Sequence, residues 1–425
     1  MNVTTENVLL IGSVLLFLSI IAGKAGYKFG IPVLLLFLSV GMLFGSDGFG
    51  IKFDSPYIAQ FIGLASLSVI LFSGGLDTKI SEIRPVLGPG LTLASLGVLL
   101  TTLFTGTIIY FITHIYATFI TFTLPESMLL ASIMSSTDSA SVFSILRSKG
   151  VSLKNNIRPL LELESGSNDP MAFMLMIIFL KMSMSGNIGI FSFILSLITQ
   201  FSIGLICGYA IARATLFLVK KINLDNKSLY HILLLASLFF AFSFTDLLGG
   251  NGFLAVYIAG LVIGNSKSQC DQTAYTFFDG IAWLSQLIMF LTLGLLVFPS
   301  ELITLEIVGI GLAISFAMII ISRPISVFIS LLPFKNIDTK TKHYISWIGL
   351  RGAVPIVFAT YPLLAGQANA RLMFNIVFFV TIVSLLVQGT SVNVVAAKLG
   401  LTNVKIDKDI IDTNTSGKII PKPKT

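Results

Sequence analysis

Apolar runs of membrane-crossing length follow one another from residue 8 to residue 397, separated by short polar links. A spanning helix needs about 20 mostly apolar residues. Thirteen segments of the 425-residue chain approach that length, near 8–23, 31–45, 57–76, 87–112, 126–146, 159–181, 189–219, 229–247, 251–265, 275–298, 302–331, 343–361 and 372–397. The shorter ones, such as 31–45 and 251–265, cross only by recruiting flanking residues. Charged residues make up 11% of the chain and hydrophobic ones 55%, whereas an average soluble domain is roughly 25% charged. A soluble globule is therefore excluded for want of polar surface, and disorder for excess of apolar residues. The cysteines, Cys207 and Cys270, are far apart, and the three histidines (His114, His231, His343) are scattered. No disulfide framework or Cys/His metal spacing results. The expected fold class is an all-α polytopic membrane protein of about 13 transmembrane helices, with the lipid bilayer as its first partner and no nucleic-acid surface.

The 27 Lys and Arg residues orient the spans. The first run carries no basic residue before it, only Glu6, and reads as a retained first helix rather than a signal peptide. With the N-terminus outside and thirteen alternating spans, twenty-three basic residues fall on the cytoplasmic side, Arg84, Arg158, Arg323, Lys335 and Lys342 among them. Lys52, Lys181 and Arg371 fall outside, and Arg351 is left within a span. That asymmetry predicts an outside N-terminus and a cytoplasmic C-terminus. Residues 1–400 are expected to form the transmembrane domain and 401–425 a short, mobile cytoplasmic polar tail.

Ionisable groups inside spans are costly and mark function. Three places carry them. In the fifth span, Ser135-Ser136-Thr137-Asp138-Ser139 offers five polar residues in a row. Local unwinding would turn its hydroxyls and carbonyls into a cavity. A small-residue packing face explains the serines equally well but not Asp138. In the sixth span, Glu162-Leu163-Glu164-Ser165-Gly166-Ser167-Asn168-Asp169-Pro170 puts Ser165 and Asp169 on one helix face,. Glu162 suits a solvated helix end beside Arg158. Asp169, eleven residues further on, lies near mid-membrane at ~1.5 Å per residue. In the twelfth span, Gly349-Leu350-Arg351-Gly352-Ala353-Val354-Pro355 sets one deep arginine among two glycines and a proline. Arg351 stays charged and must neutralise an acid or carbonyl dipoles, unless it snorkels to the loop carrying Lys342. Gly74-Gly75 in the third span suits close helix packing. If two six-span inverted repeats exist, about 8–181 and 229–397, the fifth span corresponds to the twelfth, and both are interrupted.

These residues resemble the cation:proton antiporter superfamily, specifically its NhaP-type branch and the bacterial potassium/proton antiporters within it. The resemblance rests on Leu71-Phe72-Ser73-Gly74-Gly75-Leu76, Ser136-Thr137-Asp138, Glu164 to Pro170 and Gly349 to Pro355 in that order, and extends to about residue 400. It implies a homodimer with a dimerisation domain and a mobile core holding crossed, unwound helices 5 and 12. Asp169 would be the carboxylate that carries cation or proton. Thr137, Asp138, Ser165 and Glu164 would complete the site, with Ser136, Asn168, Arg351 and Gly352 supporting it. Asn168, standing where electrogenic relatives usually carry a second Asp, implies electroneutral exchange, and Arg351 would pair with Glu164. Ser73 replaces an acid that some relatives carry before the double glycine. Many potassium/proton relatives also have cytosolic regulatory domains after the membrane part.

The expected function is exchange of K⁺ or Na⁺ for H⁺ in the plasma membrane, by alternating access at one carboxylate, with no cofactor and no enzymatic activity. Crossing the membrane with neither ion would strand a buried charge at a cost of several kcal/mol. A cation channel, or a symporter or uniporter of another small solute, is the competing reading.

Overall fold

The computed structural model describes residues 5–29, 32–115, 121–138, 141–142, 145–146, 151–186, 189–222, 224–266 and 272–404. The first half contains α1 (Thr5–Phe29), α2 (Val33–Phe44), α3 (Pro56–Asp77), α4 (Ile80–Ile115), α5 (Leu124–Ile133), strand β1 (Val151–Leu153) and α6 (Ile157–Ser185). Then come α7 (Ile190–Lys221), α8 (Ser228–Leu247), α9 (Gly252–Gly264), α10 (Gln272–Leu296), α11 (Leu305–Ser330), α12 (Thr339–Trp347), α13 (Ala353–Leu364), α14 (Ala370–Lys398) and strand β2 (Thr402–Val404). Among the described residues seven helices are long and apolar enough to cross a membrane, and α1, α2, α5, α9 and α13 carry shorter apolar stretches.

Each interruption has a local cause. Pro85 lies in a tight 3₁₀ turn at Arg84–Val86 near the start of α4, where a missing donor is tolerated. α5 opens with a capping box, in which the Thr123 hydroxyl accepts from the Glu126 amide while the Glu126 carboxylate accepts from the Thr123 amide at 2.8 Å. That arrangement satisfies two orphan donors reciprocally. The fifth segment, expected as one helix over 126–146, stops being helical at Ile133, and Ser135–Asp138 run without helical turns. Ser139 lies outside the described residues. The twelfth segment likewise divides into α12 and α13 around Ile348–Gly352.

Two sets of helices pack side by side. α3 lies against α9 and α10, α10 also against α2, and α9 against α7 and α8. In the other set α5 packs on α4 and α6, and α14 on α11 and α13. Contacts of α13 with α3 and of α6 with α9 join them. Glycine makes the α3–α9 seam close. A Cβ on Gly75 would lie 2.6 Å from the Tyr257 carbonyl oxygen, and one on Gly260 2.5 Å from that of Phe72. Small residues permit such backbone approach between membrane helices. Of the expected packing pair, Gly75 makes the contact and Gly74 faces open space.

One feature departs from an all-α chain with a free tail. β1 and β2 pair antiparallel, Val151 opposite Val404, so the first residues of the predicted tail are tied to the segment before α6. Residues 405–425 lie outside the described residues.

Candidate functional site

The two interruptions meet. The Asp138 amide donates to the Leu350 carbonyl at 2.8 Å. The Arg351 guanidinium Nη1 donates to the Ser135 and Ser136 carbonyls at 2.9 and 2.5 Å. The break in α12–α13 thereby satisfies carbonyls freed by the break after α5, as membrane-buried backbone requires. Arg351 is buried, so it neutralises carbonyl dipoles rather than snorkelling. Its own amide donates to Ser384 Oγ at 3.0 Å, and Ser384 Oγ donates to Gln388 Oε1 at 2.6 Å. Gln388 Nε2 in turn donates to the Trp347 carbonyl at 2.6 Å, closing the network at the end of α12. Gly352 is required by close approach, because a Cβ there would lie 2.5 Å from Asp138 Oδ2 and 3.0 Å from Asp138 Cβ.

α6 supplies the facing groups. Ser136 Oγ donates to Asp169 Oδ1. Ser165 Oγ donates to the Thr137 carbonyl at 2.9 Å, and Asn168 Nδ2 to Thr137 Oγ1 at 2.5 Å and, more weakly, to the Thr137 carbonyl at 3.3 Å. Asp138 accepts from the Ser141 amide at 3.1 Å and from its hydroxyl at 2.5 Å. The structure thus gathers Ser136, Thr137, Asp138, Ser165, Asn168 and Asp169 into one oxygen-rich cluster. A cavity of roughly 610 Å³ reaches it, lined by Thr137, Asp138, Ser165, Asp169 and Tyr257 and extending to Lys79, Glu82, Arg158 and Glu162. That far end is the mouth, where Lys79 and Glu82 are well exposed and Arg158 pairs with Glu162 at 2.8 Å. Glu162 therefore sits at the solvated end, as its position near Arg158 predicts. Beyond Asp169 the path is filled. Phe173, one turn along α6, has its ring centroid 5.1 to 5.5 Å from those of Phe253, Phe358 and Tyr361.

Glu164 stands apart from this cluster and corrects an expectation. It does not pair with Arg351. Its Oε1 accepts from Arg323 Nη2, and both side chains are almost wholly buried, at 1% and 2% exposure. Arg323 is accordingly no cytoplasmic loop charge. A signal for it existed, since Arg323 lies inside the apolar run 302–331. Buried arginines need a partner, and Glu164, which the resemblance pairs with Arg351, is the acid that meets Arg323. Two further residues border the cluster. Tyr257 faces the cavity from α9. Asn251 caps α9 by accepting from the Leu254 amide at 2.9 Å and donates to the Pro170 carbonyl at 2.7 Å, one residue after Asp169. Both depend on packing between distant segments, which no local pattern announces.

Comparison with known proteins finds both a family and a fold. The family described as "Sodium/hydrogen exchanger, transmembrane" matches residues 13–398. The chain is 40% identical over 392 residues to a K(+)/H(+) antiporter NhaP2 of Shewanella sp. (strain ANA-3), covering 91% of this chain and 66% of that protein. It is 40% identical over 402 residues to the K(+)/H(+) antiporter NhaP of Alkalimonas amylolytica, covering 94% and 68%. The chain thus spans about two thirds of the length of these curated relatives. The fold is similar to that of the sodium proton antiporter MjNhaP1 from Methanocaldococcus jannaschii at pH 8, with a TM-score of 0.78 at 23% identity over 93% of this chain and 99% of that one.

Proposed function

The chain belongs to the sodium/hydrogen exchanger transmembrane family, a family of transporters rather than enzymes, and from that premise we propose that it exchanges a monovalent cation for a proton at Asp169. One observation carries the assignment of the site. Asp169 is a buried carboxylate at the closed end of a deep cavity, beside the hydroxyls and freed carbonyls of an interrupted helix. Hard cations take oxygen ligands, and Asp169, Thr137, Ser165 and Asp138 offer them, with Ser136 and Asn168 holding the carboxylate and Thr137 in place. A proton or a cation neutralises Asp169 for crossing. Crossing with neither leaves an unpaired buried charge costing several kcal/mol, which couples the two fluxes. One carboxylate, with Asn168 beside it, gives electroneutral exchange.

The finer architecture belongs to the same proposal. Thirteen spans divide into two inverted six-helix repeats over about 8–181 and 229–397, with the N-terminus outside and the chain in the plasma membrane. The set holding α4–α6 and α11–α14 is the moving core, and the set around α3, α9 and α10 is the dimerisation domain of a homodimer. With Lys79 and Arg158 at its mouth, the cavity then faces the cytoplasm, and the Phe173 cluster is the closed outer side. K⁺ is the first candidate cation, by the names of relatives at 40% identity, with Na⁺ the second. Glu164 is assigned to the structural pair with Arg323 rather than to ion contact. Proton flux in proteoliposomes, titrated in turn with K⁺, Na⁺ and Li⁺ with and without a voltage clamp, tests the reading. Saturable, voltage-insensitive exchange is expected. Flux that persists without a counter-ion identifies a channel and overturns it.

A further inference from the structure

A second cavity, of roughly 620 Å³, lies on the face that carries the mouth of the ion cavity but belongs to other residues. Three segments wall it: the start of α4 at Pro85–Pro89, the start of α6 at Asn155–Leu160, and the link between α11 and α12 at Pro333–Thr341. Two helix N-termini converge there, those of the 29-residue α6 and the nine-residue α12. Each presents the positive end of its dipole and favours anions. Neither N-cap, Asn156 or Asp338, uses its side chain to cap its helix. Asn155 and Asn156 both hold left-handed backbone, with φ of 59° and 53°, a conformation that asparagine tolerates but that still carries a cost.

A separate observation points to a ligand. Thr341 lines the cavity and is 2% exposed, and its Oγ1 makes no hydrogen bond to the protein. A buried hydroxyl without a partner costs about 1–3 kcal/mol, which a ligand oxygen recovers. Lys335 adds a cation to the wall and Phe334 an apolar face, while Asp338 is the opposing charge. The volume is within the usual range of small-molecule sites.

The geometry points to a binding site in this cavity for a small phosphate-bearing anion, held by Lys335, Thr341 and the N-terminus of α6. The phosphate comes either from a soluble compound or from a lipid headgroup. The whole chain in phosphatidylcholine nanodiscs, with inorganic pyrophosphate titrated against chloride at matched ionic strength, reports the first source by thermal shift. Nanodiscs containing phosphatidylglycerol report the second. Stabilisation by at least one probe is expected. Lys335→Gln weakens it about tenfold, the worth of one charge-assisted hydrogen bond, and Asp338→Asn strengthens it. Thr341→Val also weakens it, while leaving the anion-free protein as stable as the parent or more so, because its hydroxyl has no protein partner to lose. Stabilisation by neither probe, or stabilisation undiminished in Lys335→Gln and Thr341→Val, overturns the site. Weaker anion binding in Asp338→Asn overturns it too, since that result marks the acid as a ligand and the cavity as a cation site.

Discussion

The two interrupted helices meet at one seam and do opposite things. The break after α5 is a string of polar residues, Ser135 to Asp138, of which Thr137 and Asp138 line the cavity. The break between α12 and α13 carries no acid. It brings Arg351, which is absent from the wall of that cavity and donates to carbonyls of the first break. In the proposed reading one break supplies ligands for a mobile cation, and the other supplies a fixed cation for the carbonyls of Ser135 and Ser136. On that reading the asymmetry accounts for a buried arginine beside the proposed cation site. Its charge is held by carbonyl dipoles behind the site, and its chemistry is structural.

The largest effect is expected on the ligand side. Asp169→Asn removes the exchangeable charge, and cation-dependent proton flux in vesicles should fall to background while the protein still inserts. Retained exchange would move the carrier role to Asp138 and break the division of labour. Next is the buried pair beside the breaks. Arg323→Met leaves Glu164 unpaired, and removing one partner of a buried pair costs about 3–5 kcal/mol, seen as a large loss of thermal stability or yield. Exchanging the two residues, Glu164→Arg with Arg323→Glu, should restore part of it. The same exchange between Glu164 and Arg351 should restore nothing, because Arg351 is bonded to backbone. Rescue in the second pair alone would return Arg351 to the role of acid partner.

The sequence exposes the ligand side more plainly than the fixed-cation side, for physical reasons. Polar residues amid apolar runs are visible one by one, so Asp138, Asp169 and Arg351 stand out as soon as spans are drawn. The bonding of Thr137 to Ser165 and Asn168 follows once the two spans are taken as neighbours. The partner of Glu164 does not follow. It depends on which of two arginines α11 or the second break brings to α6, and segments 159 residues apart in sequence settle that. Orientation counting places Arg323 in a loop because it tallies charges by position and is blind to burial. The ribbon between β1 and β2 was likewise hidden, since three-residue strands leave no periodic signature.

Gly352→Ala probes the seam between the two breaks with a smaller effect. The added Cβ meets Asp138 at both Oδ2 and Cβ. The carboxylate end can rotate, but its Cβ moves only with the backbone, so the first break must shift. Overpacking of this kind costs about 1–3 kcal/mol. Apparent cation affinity should weaken with modest loss of stability, measured as a raised half-saturation for K⁺ or Na⁺ in the flux assay. Unchanged affinity would mean that the register of Asp138 against the second break does not shape the site.

The smallest effect is expected at an exposed ion pair that serves as the control for Glu164 and Arg323. Glu301 bonds Arg371 through two nitrogens, at 2.9 and 3.0 Å, and accepts from Asn375 at 2.9 Å. The Arg371 hydrogen bonds hold the Glu301 carboxyl below its ordinary value of 4.5, with Asn375 assisting and burial opposing. Both side chains are over 40% exposed, so solvent screens the pair and its worth is at most about 1 kcal/mol. A lowered folded value fixes the sign. The stabilisation is full above the unfolded value and is lost as pH falls through the folded one. Glu301→Gln should therefore lower thermal stability slightly near neutral pH and not at all in strong acid. High salt should shrink the neutral-pH effect at Glu301 and leave the buried Arg323→Met penalty in place. If salt relieved both alike, burial would not be what separates a structural arginine in this core from one at the surface.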